Sequence, residues 1–150
     1  MTAPLGAKRV CYFFIFWFPV ILYSAIIFYV SSLSSVPTPL SGFQFDKAIH
    51  MVEYAVLGFL LARAFNGGRR PLTNGAVRWA FVAALLYGLS DEYHQSFVAG
   101  RDASWLDLVA DGVGGYAGAR IYAIFVQMCL EARWEKGGQA GKDLRERKDS

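Results

Sequence analysis

From Val10 to Val30 the chain runs without a charged residue, VCYFFIFWFPVILYSAIIFYV, and three further apolar segments follow, from about Asp46 to Phe65, Gly75 to Phe97 and Trp105 to Leu130. At about 1.5 Å per residue, a helix as long as the first run crosses the ~30 Å hydrocarbon layer of a bilayer. Lys8 and Arg9 precede that run as the basic region of a signal peptide would. The run is nevertheless longer than the ~7–15 apolar residues of a signal sequence, and it closes on Phe28, Tyr29 and Val30 instead of a small-residue cleavage site. The pattern therefore predicts an uncleaved first helix, kinked at Pro19, where the ring removes a backbone N–H and crowds the preceding turn. The expected fold is all-α: an integral membrane bundle of about four transmembrane helices over residues 1–130, followed by a charged tail over 131–150.

The connections carry turn chemistry. SSLSSVPTPLSGFQF holds Pro37 and Pro39, which forbid regular helix, and NGGRRPLTNG is a turn by its glycines, asparagines and Pro71. VAGRDAS joins the last two segments, with Ser104 placed to cap the fourth helix. No internal repeat, low-complexity stretch or second domain is visible.

Composition supports the same class. The chain is 55% hydrophobic and 18% charged, with a mean hydropathy of +0.30, values that suit a bilayer better than water. A net charge of +3, offset by 12 acids, does not suggest a nucleic-acid partner. Cys11 and Cys129 have no zinc-site spacing and read as packing residues. The distribution of bases gives an orientation, because Lys and Arg accumulate in cytoplasmic loops. Lys8, Arg9, Arg69, Arg70, Arg78 and the bases of the tail fall on one side, with Arg63 and Arg120 near its boundary; only Lys47 and Arg101 fall on the other. Both termini are expected in the cytoplasm of a multi-pass protein of the bacterial inner membrane, with the loops near Asp46 and Arg101 outside.

Most of the ionisable residues in and beside the apolar segments gather at that outer end. The second helix enters with Asp46, His50 and Glu53, within roughly 60° of one another at ~100° per residue. The third leaves through Ser90, Asp91, Glu92, His94 and Gln95, where Asp91 and Gln95 share a face. The fourth begins with Asp107 and Asp111, one turn apart, and Gly114 and Gly118 continue that stripe. A small-xxx-small pair lets a second helix approach closely, so the aspartates on its face point inward. Charges within a membrane cost roughly 2.5–3.5 kcal/mol each on insertion scales and mark candidate functional sites.

Three readings of this cluster stay open. It could hold only structural pairs, such as Arg101 with Asp107 and His50 with Asp91. It could bind a divalent metal, a possible but not favoured cofactor: His50, Glu53, Asp91, Glu92, His94, Asp107 and Asp111 offer imidazole and carboxylate ligands from three helices, with His50, Glu53, Asp91 and His94 the first candidates. It could perform metal-free acid–base chemistry with Glu53, Asp91 and His50 as catalytic groups, the remaining polar residues binding and Arg101 clamping an anionic headgroup. No GxSxG, SxxK or phosphate-cradling glycine loop names a nucleophile.

Three segments, DKAIHMVEYAVLGFLL (Asp46–Leu61), SDEYHQSFVAGR (Ser90–Arg101) and SWLDLVADGVGGYAG (Ser104–Gly118), together resemble the VanZ-like family. These are bacterial membrane proteins named for a factor associated with teicoplanin resistance. The resemblance spans about Leu33 to Gly118 and owes nothing to the first helix or the tail. It implies a small helical membrane protein linked to tolerance of a lipid-anchored glycopeptide, and supplies no reaction. It carries the family's polar positions onto Asp46, His50, Glu53, Asp91, Glu92, Gln95, Arg101 and Asp107. Asp111 departs from it, standing where the family motif usually has Asn. The expected partners are the bilayer and an envelope lipid, glycan or amphiphile, bound at an outer site. A membrane scaffold with a purely structural cluster is the alternative.

Overall fold

The computed structural model describes the backbone over residues 5–34, 43–68, 72–101 and 103–149, and side chains over residues 9–34, 47–68, 72–101 and 103–134 apart from Asn74. Five helices follow one another: α1 (Leu5–Phe16), α2 (Phe18–Ser31), α3 (Phe43–Asn66), α4 (Asn74–Gln95) and α5 (Trp105–Asp149). There is no strand among the described residues. The helices α1 and α2 form one apolar span, Arg9–Ser31, and Lys47–Asn66 and Trp105–Trp134 are likewise long and apolar enough to cross a membrane. The remaining helix, α4, has 22 residues, about 33 Å at the α-helical rise. Its closing SDEYHQ lowers its hydropathy, as the cluster predicted there requires.

The helix is interrupted near Pro19, as its missing N–H predicts: Trp17 separates α1 from α2 while keeping αR backbone angles. The carbonyl of Ile15, which would have accepted from residue 19, instead accepts from Arg63 Nη1 at 2.7 Å. The same guanidinium lies over the Phe16 ring, 5.0 Å from its centroid. One end of α3 is thereby tied to the break in the first span. Arg120 is exposed, lining a groove with Arg78 at that end and making no pair inside the bundle.

The heart of the bundle is the crossing of α3 and α5, where small residues permit backbone contact. A Cβ on Gly114 would fall on the carbonyl of Met51, one on Gly118 on the carbonyl of Ala55, and one on Gly58 on the carbonyl of Gly115. Around this seam Tyr54, Leu57, Leu61, Ala80, Ala84 and Ala119 are buried. Large apolar side chains such as Phe14, Ile21, Leu86, Ile121, Phe125 and Met128 are instead exposed. A molecule with small and polar residues inside and large apolar ones outside is built for lipid. The first span packs most lightly, with 11% of its apolar window buried against 39% for each of the other two spans. Cys129 is half-buried, whereas Cys11 is exposed on α1 and does not pack as expected.

The caps follow local chemistry. Thr73 Oγ1 accepts from Ala76 N–H at 3.3 Å at the start of α4. Ser104 Oγ accepts from Leu106 N–H at 3.3 Å at the start of α5, as its position predicts. The charged segment 131–149 continues α5 as helix, extending it well beyond the length a bilayer requires.

Candidate functional site

The ends that carry the polar residues all meet at one end of the bundle: the C-terminus of α2, the N-terminal part of α3, the C-terminus of α4 and the N-terminus of α5. Because α3 and α5 touch at Met51–Gly114 and Ala55–Gly118, the turns above those contacts bring Lys47 and His50 against Asp107 and Asp111. Lys47 Nζ pairs with Asp107 Oδ1. His50 Nδ1 lies 3.0 Å from Asp111 Oδ1, with Asp111 wholly buried. The predicted pairs of His50 with Asp91 and Arg101 with Asp107 are thus replaced by His50–Asp111 and Lys47–Asp107.

On α4, Gln95 Nε2 donates to Asp91 Oδ2 at 2.9 Å, the one-turn relation the sequence suggests. Glu92 Oε2 accepts the Ser104 N–H at 2.8 Å, tying the end of α4 to the start of α5. Three carboxylate oxygens, Asp91 Oδ1, Glu92 Oε1 and Asp111 Oδ2, are buried without a hydrogen-bond partner. A buried acceptor in that state costs about 1–3 kcal/mol, more when charged, so the cluster is not optimised for rigidity alone. The donor atoms of His50, Glu92 and Asp107 lie within 4.8 Å of one another.

A cavity of about 190 Å³ opens beside this cluster between α2, α3 and α4, lined by Ile27, Val30, Ser31, Ile49, His50, Glu53, Asp91, Gln95 and Arg101. Arg101 faces it as part of a cap: its Nε and Nη2 donate to the carbonyls of Leu33 and Val30, each at 3.2 Å, the latter also accepting the Leu33 N–H at 3.1 Å just past the end of α2. His94 is turned away from the cluster. It meets Ser32 Oγ at 3.0 Å and stacks beside Phe28 with ring centroids 4.4 Å apart, because it lies about 100° around α4 from Gln95. The side chain of Asp46 and the whole of Asp102 lie outside the described residues.

Sequence reasoning left out Gly88 and gave Tyr54 and Lys47, both within the first motif, no role in the cluster. Tyr54 is fully buried, its hydroxyl unpartnered. Gly88 makes room for the cluster, since a Cβ there would stand 2.8 Å from Asp111 Oδ2 and 3.2 Å from Tyr54 Cε1. The signal for Lys47 was in the spacing: Lys47 and His50 are three apart, Asp107 and Asp111 four apart, and both pairs recur along adjoining helix faces.

The family model described as VanZ/LLP1 matches residues 10–126. The chain belongs to that family. The match takes in the first span as well, so the VanZ-like unit comprises every helix that surrounds the cavity, including α2, which the three polar motifs alone left out. No curated protein and no solved structure matches the chain. Within the VanZ/LLP1 unit the polar motifs and the seam of small residues belong to one construction: the glycines set the helix separation at which His50 and Asp111 meet.

Proposed function

We propose that this VanZ-like membrane protein sits in the bacterial cytoplasmic membrane with both termini inside, and that its outer cavity recognises the polar part of an envelope lipid, glycan or lipoglycopeptide. The observation that carries the reading is the lining of the cavity: Ile27, Val30 and Ile49 offer an apolar wall, while His50, Glu53, Asp91 and Gln95 offer hydrogen-bonding groups. An amphiphile matches that division, its chain against α2 and its headgroup against α3 and α4. The light packing of the first span favours lateral entry from lipid. If the ligand is also modified, Glu53 and Asp91 are the acid–base candidates, with His50 held in place by Asp111.

The orientation rests on the distribution of basic residues along the sequence, with the described Arg63, Arg78 and Arg120 at the end of the bundle opposite the cluster. A link to glycopeptide tolerance is the phenotype to test. In cells whose teicoplanin tolerance depends on this protein, Glu53→Gln and Asp91→Asn are expected to abolish tolerance while membrane abundance holds. Full tolerance in both inserted variants would overturn the reading.

The second reading is a scaffold. It is favoured by the internal pairs His50–Asp111, Lys47–Asp107 and Asp91–Gln95, which use much of the cluster's bonding capacity. It predicts that tolerance follows the amount of folded protein and nothing else.

A further inference from the structure

We propose that His50, Glu92 and Asp107 form a divalent-cation site, one ligand from each of α3, α4 and α5. Their donor atoms lie within 4.8 Å of one another. Three ligands at about 2.0–2.2 Å from one cation stand roughly 3.3–3.8 Å from one another, so side-chain adjustment of up to about 1.5 Å closes the shell. All three residues are buried, at 5%, 7% and 3% exposure.

Two further observations point to a cation. Glu92 binds the Ser104 N–H through Oε2 alone, and its Oε1 is buried with no partner. An acceptor held in place and left unsatisfied inside the protein is what a metal ligand looks like before the metal is considered. The second observation is the position of Asp111. Its Oδ1 lies 3.0 Å from His50 Nδ1, placed to accept a hydrogen bond from Nδ1–H in the tautomer that leaves the lone pair on Nε2. This is the outer-carboxylate arrangement that orients metal-binding imidazoles.

Charge balance agrees. Asp91, Glu92, Asp107 and Asp111 are all buried. Lys47 compensates Asp107, and Arg101 also faces the cavity but donates its described hydrogen bonds to backbone carbonyls. A bound cation would offset the cost of ionising these carboxylates in a low-dielectric site. One imidazole and two carboxylates, without thiolate, suit Zn²⁺ or Mn²⁺ over soft cations and over all-oxygen calcium cages. This assignment narrows the seven ligands the sequence offers to His50, Glu92 and Asp107, setting aside Glu53, Asp91 and His94.

Binding of the cation does not depend on what occupies the cavity. Its use does rest on the amphiphile reading: because His50 also lines the cavity, the ion would stand beside a bound headgroup and polarise a phosphoryl or carbonyl oxygen.

The test is a titration of the full chain, purified in detergent and stripped with a chelator, with Zn²⁺ and separately with Mn²⁺. One ion per chain is expected for at least one of the two metals. Affinity should fall at least tenfold in Glu92→Gln and in Asp107→Asn, and about 10–100-fold in Asp111→Asn. His94→Gln should bind as wild type. Circular dichroism and gel filtration identify variants that fold, and only those are compared. Failure of the wild-type chain to bind either ion stoichiometrically overturns the proposal whatever the variants do, as does wild-type affinity in folded Glu92→Gln and Asp107→Asn. Native mass spectrometry of the stripped protein, read for a retained envelope lipid, separates the two readings: retention without a metal site refutes the cation and leaves the cavity, whereas metal without retention does the reverse.

Discussion

Substituting Gly118 by alanine adds one methyl group where two backbones touch. The new Cβ would fall on the carbonyl oxygen of Ala55. Flexible side chains cannot relieve this clash, because the obstructing atoms belong to the α3 main chain, and the neighbouring contacts at Gly114–Met51 and Gly58–Gly115 hold the same crossing. Restoring ordinary contact would require α3 and α5 to part by on the order of 1.5 Å along this seam. Overpacking costs typically about 1–3 kcal/mol, and a backbone-on-backbone clash belongs at the upper end. About 3 kcal/mol corresponds to a roughly 150-fold change in the folding equilibrium. The same separation would stretch the 3.0 Å contact between His50 and Asp111 one to two turns away, so ligand retention should fall along with stability. The assay is unfolding of the purified chain in mixed micelles, followed by circular dichroism, with Gly75→Ala as control. Gly75 has nothing within 4 Å of its would-be Cβ, and its substitution should stay within about 0.5 kcal/mol. If Gly118→Ala unfolds at the same denaturant as Gly75→Ala, the close crossing is refuted.

Two further outcomes follow from the hydrogen bonds to exposed backbone. Arg63→Ala should destabilise the chain by about 1–2 kcal/mol through the Ile15 carbonyl, and much of that loss should vanish in a Pro19→Ala background, where residue 19 regains an N–H for the same carbonyl; additive losses in a double-mutant cycle would contradict the pairing. Arg101→Ala removes two caps from the end of α2, so amide exchange at residues 30–34 should accelerate about tenfold or more while α3 and α5 keep their protection; unchanged exchange there would show that the guanidinium does not hold that end.

The bundle was legible because lipid demands long apolar runs and internal satisfaction of every backbone group, and few alternatives meet both demands. Gly114 and Gly118 even named the face on which Asp107 and Asp111 turn inward. The pairing within the cluster was not legible, since it depends on the axial offset between α3 and α5. An offset of one turn decides whether His50 meets Asp107 or Asp111 on α5, and the three backbone contacts along the seam set it. His94 shows the same limit on a smaller scale: sharing a helix turn with Asp91 and Gln95 placed it near them in sequence, but the angular step carried it to α2 and Ser32. Arg101 went to backbone carbonyls for a reason that hydropathy does not encode, namely that α2 ends beside the loop that carries it. Pro19 was the opposite case, a local rule that placed the interruption between α1 and α2 without help from tertiary structure.

The central claim is that the outer cavity holds an amphiphile, and native mass spectrometry of the protein released from membrane-derived nanodiscs tests it most directly. Wild-type chain should retain one envelope lipid or added lipoglycopeptide, and folded Glu53→Gln and Asp91→Asn chains should lose it. Equal retention in all three, or a wild-type chain that holds no amphiphile beyond bulk phospholipid, would contradict the account and leave the polar cluster as scaffold.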